Sequence, residues 1–226
     1  MGRWSYRKKE MEVWTEDEVR RFLYAAESHR IYGAFHLAVT IGMRMGEILG
    51  FRWSDIDFTK RTLSVSQALS KAEKGYMMQE PKTKSGKRNI ALSLSSLVIL
   101  ERHKRVQAAE KLRAGSMYQD QGLVFASGVG TPLGARNFTR VYHSLRKKAG
   151  VTQINFHSIR HTHATLMLKQ GVHPKIVSER LGYANISITL NTYSHVIPGL
   201  QQAAVDNFDD ALFGSKPVDK KAMVEE

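Results

Sequence analysis

The stretch from Asn155 to Val196, NFHSIRHTHATLMLKQGVHPKIVSERLGYANISITLNTYSHV, constrains this chain more than any other. It opens with His157, Arg160 and His161 and closes on Tyr193 and His195. On a helix His157, Arg160 and His161 share one face, because residues three and four apart are neighbours. That face carries no acid, so it lacks the carboxylate of a HExxH zinc helix. Two imidazoles, a guanidinium and a phenol suit an anionic phosphate instead. Arginine grips phosphate with paired donors, histidine moves protons near neutral pH, and tyrosine can serve as a covalent nucleophile.

Charge points the same way. Lys and Arg number 34 against 21 Asp and Glu, a net charge of +13 with a pI near 10.0. A surplus of that size favours a polyanionic partner, nucleic acid above all; a solvated basic surface is the plain alternative. The 226 residues suffice for one large domain or two small ones with a real core. The absence of cysteine excludes disulfides, thiol nucleophiles and cysteine metal sites, and fits an intracellular location. The first residues, MGRWSYRKKEMEVW, hold no apolar core of a signal peptide, and Tyr at position 6 breaks the myristoylation pattern. No apolar run approaches a membrane span.

Along the chain, residues 1–12 read as a linker remnant. Thr15-Glu16-Asp17-Glu18 is a capping box that starts a helix to about Ser28, with Val19, Phe22, Leu23 and Ala26 inward. A second helix covers about Ile31 to Thr40. Arg44 and Glu47 are the only charges in the apolar run from Thr40 to Phe51. A charge in such surroundings needs a partner, so the pair is either a shared network holding Arg44 or a helix-surface ion pair. Strands are predicted over Thr62–Leu69, Tyr76–Lys82 and Arg88–Leu92, the last two joined across a Ser85-Gly86 turn. Lys82, Lys84, Lys87 and Arg88 would then surround one hairpin tip, as DNA contacts or as an edge-blunting solvated cluster.

Ser93 or Ser95 should cap a long helix to about Ala114, its outer face running Glu101-Arg102-His103-Lys104-Arg105. A helix over Ala135–Ala149, capped by Gly150, carries Arg136, Arg140, Arg146, Lys147 and Lys148, again a DNA-backbone contact or plain surface. Helices follow from about His157 to Gln170, from Pro174 at its first position to Leu181, and from about Ile186 through Tyr193. An amphipathic last helix, Gly199–Leu212, aligns Leu200, Ala204, Phe208 and Leu212. A polar tail, 214–226, is expected to be disordered.

The order of these segments is specific. Thr40-x-Gly-Met-Arg44-x-Gly-Glu47, Pro81-Lys82-Thr83, His157-x-x-Arg160-His161, Leu181-Gly182-Tyr183 and Thr192-Tyr193-Ser194-His195 follow one another along one chain. Over roughly residues 13–213 this closely resembles the catalytic domain of the tyrosine site-specific recombinases, the integrases of phages and conjugative elements. The resemblance implies an α+β fold, mainly helical, with a small three-stranded antiparallel sheet. It implies site-specific cleavage and rejoining of double-stranded DNA at attachment sites, with no cofactor and no metal, in the cytoplasm of a bacterial host.

By that resemblance Arg44 and Arg160 clamp the scissile phosphate and stabilise its developing charge. Tyr193 is the nucleophile, leaving a 3′-phosphotyrosine and a free 5′-hydroxyl. Lys82 is the general acid for the departing oxygen, with Lys84 as the other choice of register. His157 handles the tyrosine proton, Glu47 supports the site from behind, and His161 and His195 position or support. Lys87, Arg88, Arg136 and Arg140 are the expected DNA contacts beside Lys84. One position departs: the family usually has His or Trp ten residues before the nucleophile, and here stands Tyr183. A phenol donates one hydrogen bond to phosphate but carries no charge. The family's N-terminal DNA-binding domains would precede the point where this chain begins. On DNA the family assembles as a tetramer through its last helix; alone, this fragment is expected to be monomeric. The rival readings are a type IB topoisomerase, which shares the chemistry, and a helix-turn-helix regulator, which leaves Arg44 and Tyr193 without a task.

Overall fold

The computed structural model describes residues 11–73, 75–81, 83–193 and 200–214; the side chains of Lys84 and of residues 200–203 are not described. Most of the predicted linker (1–12) and of the predicted tail (214–226), together with Lys82 and His195, therefore lie outside the described residues. Nine α-helices and five short strands are found among them.

Local chemistry sets the helix ends. Thr15 caps α1 (Glu16–Ala26) in the expected box: its hydroxyl accepts from the Glu18 backbone N–H, and the Glu18 carboxylate accepts from that of Thr15. Next come α2 (Tyr32–Ile41) and α3 (Met45–Gly50). Ser93 caps α4 (Leu94–Ala114), and α5 (Ala135–Ala149) ends on Gly150. The Asn155 side chain caps α6 (Phe156–Lys169), and Pro174 opens α7 (Pro174–Leu181). The last two are α8 (Ile186–Tyr193) and α9 (Leu200–Phe213). None of these helices is long and apolar enough to cross a membrane.

The main core lies among α1, α2, α4, α5, α6 and the sheet, with Trp14, Phe22, Phe35, Phe125, Phe138 and Tyr142 at its centre. Trp14 ties the start of the domain down: its backbone N–H donates to Thr162 Oγ1 and its indole to the Thr152 carbonyl. A second, smaller core holds Ala164, Leu168, Val177, Leu181 and Tyr193, so α6, α7 and α8 close on the tyrosine at the end of α8.

The sheet is antiparallel and small, as expected, but its pairing differs. Its three strands are β1 (Ile56–Asp57), β2 (Thr62–Val65) and β5 (Arg88–Ala91), in the order β1-β2-β5, with Leu63 opposite Ile90 and Val65 opposite Arg88. The predicted strand over Thr62–Leu69 breaks after Val65, and β3 (Ala68–Lys71) leaves the sheet to pair with β4 (Tyr76–Gln79). The cause is α3. A Cβ on Gly50 would lie 2.6 Å from the Leu69 nitrogen, so the helix meets the β3 backbone directly. Gln67 secures the bend by donating to the Gly50 carbonyl at 3.1 Å. Consequently Ser85-Gly86 turns the chain into β5 rather than closing a hairpin between β4 and β5.

Because that backbone contact sets where α3 sits, Gly50→Ala should lower stability by roughly 1–3 kcal/mol through overpacking. Chemical denaturation measures it, and an unchanged midpoint would show that α3 slides freely.

A second correction concerns α4. His103, expected on the solvated face, is 5% exposed and bonds the Val124 carbonyl at 2.7 Å. The inward stripe is Ser96, Leu97, Leu100, His103 and Gln107, a helical spacing that takes the histidine in and leaves Glu101, Arg102, Lys104 and Arg105 outside.

Candidate active site

Glu47 is the pivot of the site. Its carboxylate is 3% exposed at the start of α3 and is met by two arginines. Arg88 reaches it with both terminal nitrogens, at 3.0 and 2.9 Å, and Arg44 with Nη1 at 2.9 Å. The Arg44 backbone N–H donates to the same carboxylate at 2.9 Å. Burial pushes the Glu47 pKa up, but the Arg88 and Arg44 bonds and charges outweigh it and hold the group below the ordinary carboxylate value. Glu47 is therefore an anion that fixes Arg44, as the shared-network reading expected. The Arg44 side chain stays 42% exposed, free to meet a ligand.

Arg88 is a correction. Expected among the DNA-facing cations, its side chain is 6% exposed. Besides Glu47, it donates to the carbonyls of Arg180 at 2.7 Å and Gly86 at 3.1 Å. It pins the β5 entrance to the end of α7. Gly182 completes that junction, since a Cβ there would come within 2.8 Å of the Ser85 carbonyl. The turn that follows Lys82 is thus packed beside Tyr183, although Lys82 itself lies outside the described residues.

Arg160 sits on the inward side of α6 and is 2% exposed. It donates to the Gly42 carbonyl at 2.8 Å and to the Leu181 carbonyl through a second short bond. Burial, then the neighbouring Arg44 charge, lowers its pKa to about 10, which leaves it cationic at neutral pH. The Tyr183 ring lies over its guanidinium, 5.0 Å from the ring centroid, a cation–π contact. The residue that departs from the family pattern is thus stacked on one of the two expected phosphate clamps.

Tyr193 is fully buried, and its Oη lies 2.8 Å from His161 Nδ1. Burial, then the adjoining Tyr183 phenol, raises the Tyr193 pKa well above that of free tyrosine. His157, the residue expected to handle the tyrosine proton, stacks edge-on against His161 with centroids 5.1 Å apart. Among the described residues no hydrogen bond joins it to Tyr193. Burial, then the Arg160 and Arg44 charges, lowers the His157 pKa and favours the neutral ring.

The outlying cations take different places. Lys87 pairs with Glu80 at 2.8 Å on the surface. Arg136 and Arg140 are exposed at the start of α5, and Arg140 donates to Asn137 Oδ1 at 2.7 Å. With Tyr76 and His143 they border an open groove of about 850 Å³.

A model of the phage integrase family matches residues 12–198. The chain belongs to that family. It is 39% identical over 213 residues to a tyrosine recombinase XerC-like protein of Caldanaerobacter subterraneus subsp. tengcongensis, a match spanning 89% of this chain and 54% of the relative. The ICEBs1 integrase of Bacillus subtilis is 28% identical, over 91% of this chain and 56% of that protein. The chain spans about half the length of these curated relatives. In fold it is similar to the Tn1549 transposon integrase solved with transposon right end DNA, at a TM-score of 0.74 and 24% identity over 89% of this chain and 67% of that one. The XerA recombinase structure gives a TM-score of 0.68 at 22% identity, covering 88% and 65%. The mainly helical α+β fold of the family's catalytic domain is therefore the fold of this chain.

Within this integrase fold, Arg44, Glu47, His157, Arg160, Tyr183 and Tyr193 come together. Two placements escaped the sequence reading, the burial of Arg88 against Glu47 and the contact of His161 with Tyr193. Arg88 could have been found from alternation, because it shares a strand face with the buried Ile90. The direct His161–Tyr193 contact had no local signal.

Proposed function

We propose that this integrase-family chain cleaves and rejoins duplex DNA through a 3′-phosphotyrosine intermediate, in site-specific recombination of a mobile element. The observation that carries this reading is the convergence on one helix and its neighbours of Arg160, His161 and Tyr193, with Glu47 holding Arg44 at the rim. A phosphate drawn to Arg44 would next meet Arg160, whose charge suits the extra negative charge of a five-coordinate phosphorus. Tyr193 Oη attacks, and the bond to the 5′-oxygen breaks. Lys82 is our assigned donor of the proton which that oxygen takes up. The new ester conserves the energy of the broken one, so rejoining runs the same steps backward.

Tyr193 is buried, so DNA binding would have to uncover its hydroxyl before attack. The basic α5 face with Arg136 and Arg140, and the Lys84–Lys87 turn, are the surfaces that would follow the DNA backbone. The relatives named as integrases and recombinases support duplex DNA as the partner. Exposed Val205, Phe208, Leu212 and Phe213 on α9 suit the protomer contacts of a tetramer on DNA. Such a protein would work in the cytoplasm.

The test is covalent capture of supercoiled plasmid by the purified chain in excess chelator, quenched with detergent, followed by mapping of the DNA-bearing peptide. Attachment at Tyr193 is expected; binding without any adduct would favour the regulator reading. Joining of two marked DNA molecules would separate recombination from simple relaxation. In the same assay Tyr183→His should match the parent or exceed it by up to about tenfold, because a charge-assisted bond to phosphate is stronger by about 1 kcal/mol than a neutral one. A large loss would show that the phenol stacked on Arg160 is itself required.

A further inference from the structure

We infer that a cavity walled by Arg180 and His163 binds a small oxyanion that keeps a proton at neutral pH, inorganic hydrogen phosphate. The cavity is open, holds about 340 Å³, and lies where α6 meets the ends of α2, β5 and α7 and the start of α4. That volume is at the lower end for small-molecule sites, roughly 300–1,000 Å³. Its wall suits negative charge. Arg180 enters from α7, and among the described residues no carboxylate lines the cavity. The terminal nitrogens of Arg180 reach the Ala91 and Thr40 carbonyls only at 3.4 and 3.3 Å, and its Nε–H is buried with no acceptor. A cation so placed calls for a counter-ion. Ser93 and Ser96, from the capped start of α4, line the same cavity. The first turn of that 21-residue helix carries no acid to meet its positive end.

His163 selects among anions. It is 5% exposed on the cavity wall, and its Nδ1 lies 2.9 Å from the Val39 carbonyl. A carbonyl only accepts, so Nδ1 carries the proton and Nε2 offers a lone pair. Nε2 too is buried and has no partner. Burial, then the nearby Arg180 charge, pushes the His163 pKa down to about 3, so the ring stays neutral. One wall thus holds an unmet donor on a cation and an unmet acceptor beside it. Hydrogen phosphate answers both: a charged oxygen accepts from Arg180 Nε, and the P–O–H group donates to His163 Nε2. Sulfate and the phosphodiesters of DNA bring charge without a proton. A phosphate monoester has lost most of its second proton above a pKa of about 6. A bound ion would bear on the active site, because Gly42 and Leu181, whose carbonyls hold Arg160, directly follow Ile41 and Arg180 of the wall.

The test is thermal unfolding of the whole 226-residue chain, without DNA, in a neutral buffer free of phosphate and sulfate. Sodium phosphate, sodium sulfate and glycerol phosphate are titrated in at constant ionic strength. Phosphate should raise Tm by about 3–6 °C for each tenfold increase beyond its dissociation constant, as one site on a chain of this size requires. Sulfate and glycerol phosphate should give only the shallow, unsaturating rise of excluded salts. In Arg180→Gln the phosphate response should fall to that of sulfate. An equal rise with all three anions, or a phosphate rise that survives in Arg180→Gln, overturns the proposal. So does no rise at all, which would leave the cavity to water. Tighter binding of glycerol phosphate would overturn the free ion as the ligand. If Arg180→Gln does not fold, the ¹⁵N resonance of His163 Nε2 in the parent decides: it must shift saturably with phosphate and stay put with sulfate. Because no DNA is present, these outcomes leave the phosphotyrosine reading untouched.

Discussion

Tyr193→Phe is expected to form no detectable covalent adduct while still binding DNA and remaining folded. The ring fills the small core of α6, α7 and α8 beside Leu168, Val177 and Leu181, and phenylalanine keeps all of that packing. What is lost is one oxygen and its hydrogen bond to His161, worth about 1 kcal/mol. The partner left behind is half-exposed, so water can take the phenol's place at Nδ1. Stability should therefore change little while chemistry stops. Thermal unfolding and a gel-shift measurement on the same preparation separate the two. If adduct persisted, Tyr183 would be the nucleophile, since its phenol is the other one beside Arg160. Tyr183→Phe, by contrast, should still form adduct.

How much of this was legible in the sequence depends on how far apart the interacting groups lie. Helix ends could be read because caps act within one turn: Thr15 with Glu18, Pro174 at the start of α7, Gly150 at the end of α5. Arg44 and Glu47 were legible as a pair because three residues along a helix start bring them together. Strand pairing was not, because the Ser85-Gly86 turn signal is local and tertiary contact decided which strands meet. Packing of α3 against Leu69 pulls β3 aside, so the chain reverses at Gly75 instead, and β5 is left to pair with β2.

Site roles divide in the same way. The residue types on α6 announce phosphate chemistry, but which histidine meets Tyr193 depends on how α8 lies across α6, over 32 positions of sequence. Arg88 was drawn by its basic neighbours into a surface cluster. Two facts pointed inward: it alternates with Ile90, and Glu47, deep in an apolar run, needs more than a half-exposed Arg44 to balance it.

That balance makes Glu47→Ala the substitution with the largest expected cost to stability. It would leave the Arg88 guanidinium, 6% exposed, buried without its counter-charge, a loss of about 3–5 kcal/mol. For a chain of this size that corresponds to a fall in Tm of roughly 10 °C. The carboxylate's folded-state pKa lies below its ordinary 4.5, so its contribution is fully present above that value and lost as pH falls through the folded pKa. The gap between parent and variant should thus be constant from pH 7 down to about 5 and close only in stronger acid. Adduct formation should fall as well, because Arg44 loses both of its bonds to the carboxylate. The two effects can be separated. Pairing Glu47→Leu with Arg88→Met replaces the buried ion pair by apolar side chains of similar size, which is often close to neutral for stability. That double variant should recover part of the lost Tm but none of the lost adduct, since Arg44 still has no anchor. Recovery of both would mean that Glu47 acts only by neutralising Arg88. Recovery of neither would mean that the Arg88 bonds to the Arg180 and Gly86 carbonyls, rather than the ion pair, hold β5 against α7.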